Sequence, residues 1–302
     1  MFYDLIIIGA GPAGITAGIY ASRKNLKTLL ITKDFVGQAG LAFNVENYPG
    51  IEEIRGIELM QRFKRHLEKQ EIEIKEGETV ETVEQGFKIK TNKGEYEART
   101  TIVATGSKPR QLGAPGEKEF LGKGVAYCVT CDGPAFRDKI VVVIGGGNSG
   151  FGAGLELSQY CRKVYLLHIN DKPNADEALQ KRVGRDKKIE VILNAKTSRI
   201  EGGKMVDKLV YEDILNGEEK EITTDGVFIE IGYVPVADFL NDLVEYNKAG
   251  EIIIDFVNNQ TKTPGLFGAG DVSSEQNKQI IVAAASGCKA ALSAYNYLQK
   301  NK

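Results

Sequence analysis

Two stretches of the sequence decide the fold: "YDLIIIGAGPAGITAGIYASRKNLKTLLITK" (residues 3–33) and "KIVVVIGGGNSGFGAGLELSQYCRKVYLLHI" (residues 139–169). They align without a gap at an offset of 136 residues. Each contains an apolar strand, a GxGxxG turn, a helix of small residues and a second strand. The strands carry apolar residues on both faces, as a parallel sheet covered by helices requires. The repeat therefore predicts two βαβ units in one chain.

The three glycines of each turn have separate tasks. The first makes the tight bend, the second lets the backbone approach a pyrophosphate, and the third lets the helix pack against the strand. The phosphates then meet the positive N-terminus of the helix. One GxGxxG is weak evidence, but two in complete βαβ units predict two dinucleotide sites. The glycines are Gly9, Gly11 and Gly14 in the first copy, and Gly145, Gly147 and Gly150 in the second.

Length and charge limit the classes of function. With 302 residues, the chain is long enough for two domains at roughly 150 residues each. The net charge of −2, from 39 basic and 41 acidic residues, argues against nucleic acid or a membrane surface as the partner. The start "MFYDLIIIGAG" has no basic leader, and no apolar run approaches the ~20 residues needed to cross a bilayer. We therefore predict a cytoplasmic protein.

The outer parts of the two halves contain further elements. His66 is interpreted as a solvated surface residue, and Cys161 and Cys288 as small buried packing residues. The predicted elements are a polar helix over 56–70, a turn at 92–94, a helix over 175–183, a strand over 189–193, a hairpin at 216–217 and one strand over 226–235.

A pair of cysteines stands in "CVTCDG" (residues 128–133). Zinc is disfavoured because a structural site needs four ligands, whereas the remaining cysteines and His168 stand alone in the sequence. A permanent structural disulfide is as strongly disfavoured as zinc, because the predicted cytoplasmic compartment is reducing. A redox pair explains more, since a CxxC thiol has a lowered pKa and a second thiol can resolve a mixed disulfide. We therefore interpret Cys128 and Cys131 as a redox pair and predict no metal.

The acid beside this pair has two interpretations. Asp132 is placed to protonate a leaving thiolate as a general acid. It can also cap a helix through "GPAF", which does not exclude the chemistry.

The C-terminal part adds a second ligand-binding pattern, "GLFGAGDV" (265–272), followed by a helix that opens near Lys278. Asp271 can accept hydrogen bonds from sugar-like hydroxyls, or it can cap a helix. The dipole of the following helix favours negative charge in front of its N-terminus. This suits a flavin, whose reduced ring is anionic.

Six motifs in order, "GAGPAG", "VENYPG", "ATG", "CVTCDG", "GGGNSG" and "GAGDV", give the chain a resemblance to the low-molecular-weight thioredoxin reductases, which are class II pyridine nucleotide-disulfide oxidoreductases. The second half, with "GEIIID" and "KQIIVA", is also similar to the flavoprotein subunit of alkyl hydroperoxide reductase. The resemblance implies an α/β fold of two Rossmann-like three-layer dinucleotide-binding domains, the second inserted into the first. Residues 1–113 and 244–302 would hold FAD, residues 114–243 would hold a nicotinamide cofactor and the CxxC, and the protein would be a homodimer.

The resemblance also assigns roles to residues. Cys128 would attack the protein disulfide, and Cys131 would face the flavin. The family's "GGQ" is "VGQ" here, with Val36 in place of the first glycine. The FAD contacts would be Gly9, Gly11, Pro12, Ala13, Gly14, Gln38, Asn47, Ala104, Thr105, Gly106, Gly270, Asp271, Lys278, Gln279 and Ile280. The nicotinamide contacts would be Gly145, Gly147, Asn148, Ser149 and Gly150.

One segment departs from the family. NADPH-dependent relatives carry HRRxxxR after the second strand, whereas this chain has "HINDKPN" (168–174), so three phosphate-binding arginines are replaced by Ile169, Asn170 and Asn174. Each lost charge-assisted hydrogen bond would cost roughly 1.5–3 kcal/mol, of which Lys172 could recover a part. NADPH is therefore disfavoured. NADH stays allowed, although Asp171 lies three residues later than the acid usual for ribose hydroxyls.

The donor is left open among three kinds. The helix "GFGAGLEL" holds glycines at 150, 152 and 154, which either admit a close neighbour or mark a nicotinamide site that has drifted. Some members of the resembled family take electrons from ferredoxin or a deazaflavin. NADH is the preferred electron donor. A donor without nicotinamide comes second, and NADPH comes third.

The predicted function is an FAD-dependent disulfide oxidoreductase that reduces a thioredoxin-like protein. The alternatives are a reductase that serves a peroxiredoxin through a thioredoxin-like carrier, and a non-catalytic flavin redox sensor. We expect no extra N-terminal module of the kind found in the peroxide system, which disfavours direct peroxide work. In the resembled family the inserted domain rotates, and here the hinges are expected near Leu112–Glu117 and Asp238–Tyr246.

Overall fold

The computed structural model describes residues 2–42, 45 and 47–301, with only the backbone at positions 41, 130 and 131. The chain divides into two compact units. The first comprises Met1–Lys108 and Val234–Lys302, and the second, Pro109–Tyr233, is inserted between these two parts.

The secondary structure alternates between strands and helices in both units. The strands are β1 (Phe2–Ile8), β2 (Thr28–Thr32), β3 (Glu73–Glu76), β4 (Val80–Glu84), β5 (Lys88–Thr91), β6 (Glu95–Val103), β7 (Ser107–Pro109), β8 (Val125–Ala126), β9 (Ile140–Ile144), β10 (Lys163–Leu167), β11 (Ile189–Ile192), β12 (Ala195–Gly202), β13 (Val206–Asp213), β14 (Glu218–Thr223), β15 (Gly226–Ile229), β16 (Tyr233–Pro235) and β17 (Leu266–Gly268). The α-helices are α1 (Pro12–Ser22), α2 (Gly37–Leu41), α3 (Gly56–Leu67), α4 (Val129–Asp132), α5 (Asn148–Ser158), α6 (Glu177–Val183) and α7 (Ile280–Lys300). Short 3₁₀ helices span Gly133–Phe136, Asp238–Leu243 and Gly270–Val272.

The first unit is built on a sheet in the order β3-β2-β1-β6-β5-β4, with β17 also paired to β6. Its central strands are parallel, and Ile7 of β1 lies between Leu30 of β2 and Ile102 of β6. Strand β1 is buried on both faces, so its sheet forms the middle layer of the unit. Helices α1 and α7 pack on one side of this sheet. α7 crosses α1 so closely that a methyl group on Gly287 would lie 2.0 Å from the carbonyl oxygen of Ala13.

The second unit has a parallel sheet in the order β11-β10-β9-β15-β8 and an antiparallel sheet β12-β13-β14. One face of the parallel sheet packs against α5 through Val141, Val143 and Phe228. The other face packs against the antiparallel sheet through Val142 and Val227. Both units are therefore three-layer α/β structures, and the predicted fold class is confirmed.

The internal repeat is present in three dimensions. Helix α5 begins and ends 136 residues after α1, and β9 ends 136 residues after β1. In both units the helix starts at the fourth residue after the strand, so the two GxGxxG turns occupy equivalent positions. The alignment of residues 3–33 with residues 139–169 thus locates both turns correctly.

The chain passes between the units at residues 108–109 and 233–234, earlier than the predicted boundaries at 113–114 and 243–244. The first difference arises because Leu112 packs on the core of the second unit, and the buried Glu117 carboxylate accepts hydrogen bonds from the amides of Leu112 (2.8 Å) and Gly113 (2.7 Å). The second arises because Leu240 is fully buried in the core of the first unit. The segments 112–117 and 238–246, expected as hinges, therefore lie inside the units.

Several local predictions can be compared with the structure. The hairpin at 216–217 joins β13 to β14, with Asp213 opposite Glu218. The single strand expected over 226–235 is wrong, because the chain turns at Gly232 (φ +98°) and forms β15 and β16 instead. His66 is exposed and Cys161 is buried, as predicted. Cys288 is only half-buried, since its thiol lies at the surface of α7 beside the Tyr20 hydroxyl.

Within the described part of the chain, no helix is long and apolar enough to cross a bilayer.

Candidate functional site

The first glycine turn is closed at two positions and open at the third. A methyl group on Gly9, which has φ +104°, would lie 2.4 Å from the carbonyl oxygen of Ala104, and one on Gly14 would lie 1.8 Å from that of Gly9. At Gly11, by contrast, an added methyl group would meet no atom within 4 Å. The turn thus has the packed first and third glycines and the open second glycine that a pyrophosphate requires.

The turn lies at the point where the strand order of the sheet reverses. β2 pairs with one side of β1 and β6 with the other, so the carboxyl ends of β1 and β6 border the crevice in which open α/β sheets bind ligands. The "ATG" segment continues β6: the amide of Ala104 donates to the carbonyl of Ile8 (2.8 Å), and the Thr105 hydroxyl donates to the carbonyl of Val236 (2.5 Å). The predicted residues Ala104, Thr105 and Gly106 are therefore at this crevice.

The C-terminal segment lies beside the same turn. A methyl group on Gly270 (φ +73°) would lie 3.0 Å from the Cβ of Ala13, and the amide of Gly270 donates to Ser286 Oγ (3.1 Å). Asp271 is the second residue of the helix Gly270–Val272, whose N-cap is Ala269, so the interpretation of Asp271 as an N-cap is wrong. Burial raises the pKa of the Asp271 carboxyl. A desolvated acid of this kind suits hydrogen bonding to a sugar-like hydroxyl.

Lys278 is held by the protein itself. Its Nζ atom donates to the carbonyl of Ser273 (2.6 Å) and forms an ion pair with Glu251 (2.9 Å). The nearby ammonium lowers the pKa of Asp271 and Glu251 raises it, and each of these two effects is smaller than that of burial. In this conformation Lys278 orders the loop before α7 and does not extend freely.

The remaining predicted FAD contacts come from loops of the same unit. Asn47 Nδ2 donates to Gln279 Oε1 (3.2 Å), and Gln279 is the N-cap of α7, which begins at Ile280. Gln38 on α2 donates to the carbonyl and the hydroxyl of Ser107. The loop that contains Val36 is fixed by Asp34, whose Oδ1 accepts hydrogen bonds from the amides of residues 36 (2.9 Å) and 37 (3.2 Å).

The second glycine turn repeats this geometry in the inserted unit. A methyl group on Gly145 would lie 2.2 Å from the carbonyl oxygen of Glu230, and one on Gly150 would lie 1.9 Å from that of Gly145. Gly147 is open, with no atom within 4 Å of an added methyl group. The turn precedes α5, whose first residues are Asn148 and Ser149. The predicted nicotinamide contacts therefore form a second turn of the same type.

Sequence reasoning missed Glu230. It follows β15 as Ala104 follows β6, and its amide donates to the carbonyl of Ile144 (2.8 Å). Burial, and to a smaller extent Glu156, raise the pKa of the Glu230 carboxyl to about 7. The signal was available, since "ATG" (104–106) and "EIG" (230–232) occupy equivalent places and both end in a glycine of positive φ.

The segment after β10 folds against the second turn. The His168 ring packs against Gly146, where a methyl group would be 2.2 Å from the ring, and its Nε2 lies 3.1 Å from the carbonyl oxygen of Lys172. The amide of Asn174 donates to the carbonyl of Gly146 (2.8 Å). Asn148 and Asp176 are joined by two hydrogen bonds, of 2.7 and 3.0 Å.

The residues at the three lost arginine positions are exposed, Ile169 to 50%. Lys172 is the one cation among residues 169–176. The segment thus presents little positive charge for a 2′-phosphate.

The cysteine turn is also in the inserted unit. Cys128 is disulfide-bonded and stands at the N-cap of α4, where its carbonyl accepts a hydrogen bond from the amide of Asp132 (3.0 Å). Cys131 belongs to α4 by its backbone, and the prediction for its sulfur lies outside the described residues. Asp132 is the N-cap residue of the helix Gly133–Phe136, with no side-chain capping hydrogen bond to that helix, and its role as a general acid stays a prediction.

The other two cysteines are free thiols. Burial raises the pKa of the Cys161 thiol to about 11, so it is not a thiolate at neutral pH. In the described part of the chain, no three His, Cys, Asp or Glu residues are grouped as a metal site would need.

Two parallel-sheet units with matching GxGxxG turns, together with a disulfide-bonded turn, define a two-domain dinucleotide-binding oxidoreductase. The family model described as pyridine nucleotide-disulphide oxidoreductase matches residues 3–287. The chain belongs to this family, and the resemblance inferred from the six motifs is confirmed.

Known proteins similar to the chain agree with this assignment. The thioredoxin reductase of Streptococcus pyogenes MGAS5005 is 36% identical, with a TM-score of 0.88 and 99% of both chains covered. A ferredoxin-flavin thioredoxin reductase from Clostridium acetobutylicum is 30% identical, with a TM-score of 0.54 and 99% of both chains covered. An alkyl hydroperoxide reductase subunit of Staphylococcus aureus (strain NCTC 8325 / PS 47) is 39% identical over an alignment 303 residues long, which covers 99% of this chain and 60% of the relative. The chain thus spans about 60% of the length of that curated relative.

Proposed function

We propose that the protein is an FAD-dependent disulfide oxidoreductase whose Cys128–Cys131 pair reduces the disulfide of a thioredoxin-like protein. The observation that carries the proposal is the disulfide-bonded Cys128, which stands at the start of a short helix in a unit inserted into a dinucleotide-binding domain. The similarity to thioredoxin reductases over 99% of the chain supports the same function.

The crevice at the carboxyl ends of β1 and β6, the first crevice, has residues that fit FAD. Gly11 leaves the backbone open to the diphosphate, and the N-terminus of α1 favours its negative charge. Asp271, desolvated beside Gly270, would accept a hydrogen bond from a ribityl or ribose hydroxyl. Bound FAD would supply a carrier of two electrons between the donor and the cysteines. The second, inserted unit would hold the cysteine pair and the donor site.

The cysteine pair would perform thiol–disulfide exchange. In the reduced pair, the Cys128 thiolate attacks one sulfur of the partner's disulfide, forms a mixed disulfide and releases the partner's other sulfur as a thiolate. Cys131 then attacks the Cys128 sulfur, which breaks the mixed disulfide and releases the second partner thiolate. Asp132 would supply a proton to a leaving thiolate and regain one from water. The partner gains two electrons and two protons, and the pair is left oxidised.

The donor is proposed to be something other than NADPH. The 169–176 segment carries one lysine where a 2′-phosphate would need several cations. NADH is compatible with this segment. A ferredoxin or deazaflavin donor is the alternative, and the relative described as a ferredoxin-flavin thioredoxin reductase favours keeping it.

A second candidate function is reduction of a peroxiredoxin through a thioredoxin-like carrier, favoured by the similarity to the alkyl hydroperoxide reductase of Staphylococcus aureus. A third is a flavin redox sensor, which would use the same cysteines once. We also propose a homodimer, from the family resemblance alone, and a cytoplasmic location, as predicted in the sequence analysis.

Turnover distinguishes these functions. FAD-loaded protein, supplied anaerobically with excess chemical reductant, is mixed with many equivalents of oxidised thioredoxin, and the thiols formed are counted after subtraction of those formed in a protein-free control. The wild type is expected to reduce many equivalents and C128S none, whereas C131S should release about one thiol per protein and stay joined to the partner as a mixed disulfide. The matched control, C288S, changes a half-buried cysteine of the first unit and should turn over like the wild type.

Reduction of only one equivalent by the wild type would indicate a sensor. Turnover by C128S would contradict the cysteine mechanism. The donor is identified separately, by adding NADH, NADPH or reduced ferredoxin anaerobically and following the loss of flavin absorbance. Efficient bleaching by NADPH would overturn the argument from the missing arginines.

A further inference from the structure

A carboxyl group stands at the ligand-binding end of the second sheet, where the first sheet has a methyl group. Glu230 and Ala104 are equivalent: each follows the strand on the far side of the central strand, and each carbonyl packs on the first glycine of a GxGxxG turn. Each amide also donates a hydrogen bond to the carbonyl oxygen of the last residue of the central strand, and the distance is 2.8 Å in both units. The crevice at the carboxyl ends of β9 and β15, the second crevice, therefore has an ionisable carboxyl group where the first crevice has a methyl group.

Glu230 lies at the point where the sheet order reverses. From β9 the chain continues through α5 to β10 on one side, whereas β15 pairs with the other side of β9. Open α/β sheets bind ligands in the crevice at the carboxyl ends of the strands at such a point. A dinucleotide diphosphate held at Gly147 and the N-terminus of α5 would thus lie next to the end of β15.

The Glu230 side chain is on the α5 side of the sheet. Side chains alternate along a strand, and Phe228, two residues earlier, packs in the core that contains Phe151 of α5. The like charge that acts on Glu230 comes from Glu156, also on α5. One turn before Glu156, an added methyl group on Gly152 would meet no atom within 4 Å, so this face of α5 has open space toward its N-terminus.

We propose that Glu230 is a specificity-determining residue of the second crevice: in its neutral form it admits the anionic diphosphate of a dinucleotide, and as a carboxylate it opposes it. The proposal rests on the proposed function only in taking this crevice as a dinucleotide site. The corresponding residue of the first crevice is Ala104, which does not ionise. Dinucleotide binding there would therefore not depend on protonation at this position.

The surroundings of Glu230 raise the pKa of its carboxyl group, chiefly through burial. Glu156 is the charged group that acts on it, and the end of β9 presents the apolar Ile144. With a pKa of about 7, the carboxyl would change charge close to physiological pH. Binding of a dinucleotide donor would then weaken as the pH rises through about 7.

Binding of ADP-ribose tests the proposal directly, because this probe has the diphosphate but no nicotinamide and no 2′-phosphate. Its dissociation constant is measured by calorimetry on the FAD-loaded protein at about pH 6 and about pH 8.5. The wild type is expected to lose about fivefold or more in affinity over this range, as for one added like charge near the site, and E230Q less than about twofold. The matched control is E221Q, which removes an exposed carboxylate of β14 in the same unit and should keep the wild-type pH dependence.

An equal pH dependence in E230Q and the wild type would overturn the proposal, as would no binding of ADP-ribose by either protein at about pH 6. If E230Q fails to fold, a wild-type affinity that does not change with pH is sufficient to overturn it. Failure of the proposed function is recognised independently, because reduction of thioredoxin with a chemical reductant does not use the second crevice.

Discussion

At the scale of single residues, the two glycine turns separate a packing requirement from a binding requirement. Gly9 and Gly14 are surrounded by backbone atoms at distances that no side chain tolerates, whereas Gly11 has open space. Gly11 has φ −70° and ψ −176°, which alanine adopts without strain. Folding and cofactor binding can therefore be disturbed separately within one turn.

Alanine substitutions test this separation. G11A should change the free energy of unfolding of the FAD-free protein by less than about 0.5 kcal/mol but weaken FAD binding at least about tenfold, because its methyl group occupies the approach of the diphosphate. G14A should cost about 2 kcal/mol or more, because the methyl group would meet the carbonyl of Gly9 at 1.8 Å. Chemical denaturation and FAD titration measure both effects. FAD affinity equal to that of the wild type in G11A would argue against the assigned site.

Glu230 gives a pH dependence of stability with a defined sign. Its pKa in the folded protein is raised from 4.5 to about 7, so the folded state holds the proton more tightly than the unfolded state. Its contribution to stability is complete below about pH 4.5 and is lost as the pH rises toward 7, by on the order of 3 kcal/mol in total.

The difference in unfolding free energy between wild type and E230Q should therefore shift against the wild type between pH 4.5 and pH 7.5, by about the same amount. Denaturant unfolding of both proteins at several pH values measures it. A constant difference across this range would show that the Glu230 carboxyl is not desolvated as described.

At the scale of secondary-structure elements, the segment that enters the inserted unit is fixed by one buried acid. The Glu117 carboxylate, 2% exposed, accepts hydrogen bonds from the amides of Leu112 and Gly113 and from the Tyr127 hydroxyl (2.6 Å). Three donors thus converge on one carboxylate, which attaches the segment to the core of the second unit. This attachment explains why residues 112–117 lie inside the second unit, and the rotation expected about this segment stays a prediction.

Substitution of Glu117 should loosen this segment without affecting the first unit. E117Q places an amide NH₂ among three donors and should destabilise the second unit by about 2–3 kcal/mol, whereas Y127F removes one hydrogen bond and should cost about 1 kcal/mol. Hydrogen exchange of residues 109–127 should increase in E117Q, and FAD affinity should stay unchanged. Unchanged protection of this segment would contradict the role given to Glu117.

Local patterns predict the elements better than the boundaries. The GxGxxG spacing locates α1 and α5 to the residue, because the glycines act on neighbouring backbone atoms. The chain crossing after β15 was not predictable, because it depends on distant packing of Leu240. Glu230 was missed for a related reason: "GVFIEIGYVP" has the composition of one strand, and only the equivalence with "ATG" shows that it ends at Ile229.

At the scale of the whole molecule, the predicted FAD site belongs to one unit and the disulfide-bonded cysteine to the other. Each unit has its own core, and the chain crosses between them twice. The sequence predicts this division because the glycine repeat occurs twice and the cysteine pair occurs once. The identity of the donor depends on a few side chains of the second crevice, where sequence reasoning considered the arginine positions and not Glu230.

The central claim is that electrons from the flavin reach the cysteine pair, and an anaerobic reductive titration of the FAD-loaded protein tests it most directly. If flavin and disulfide are both reduced, the wild type should consume about four electrons per FAD, two for each carrier, and C128S about two. Consumption of about two electrons by the wild type, with Cys128 still oxidised, would contradict the claim.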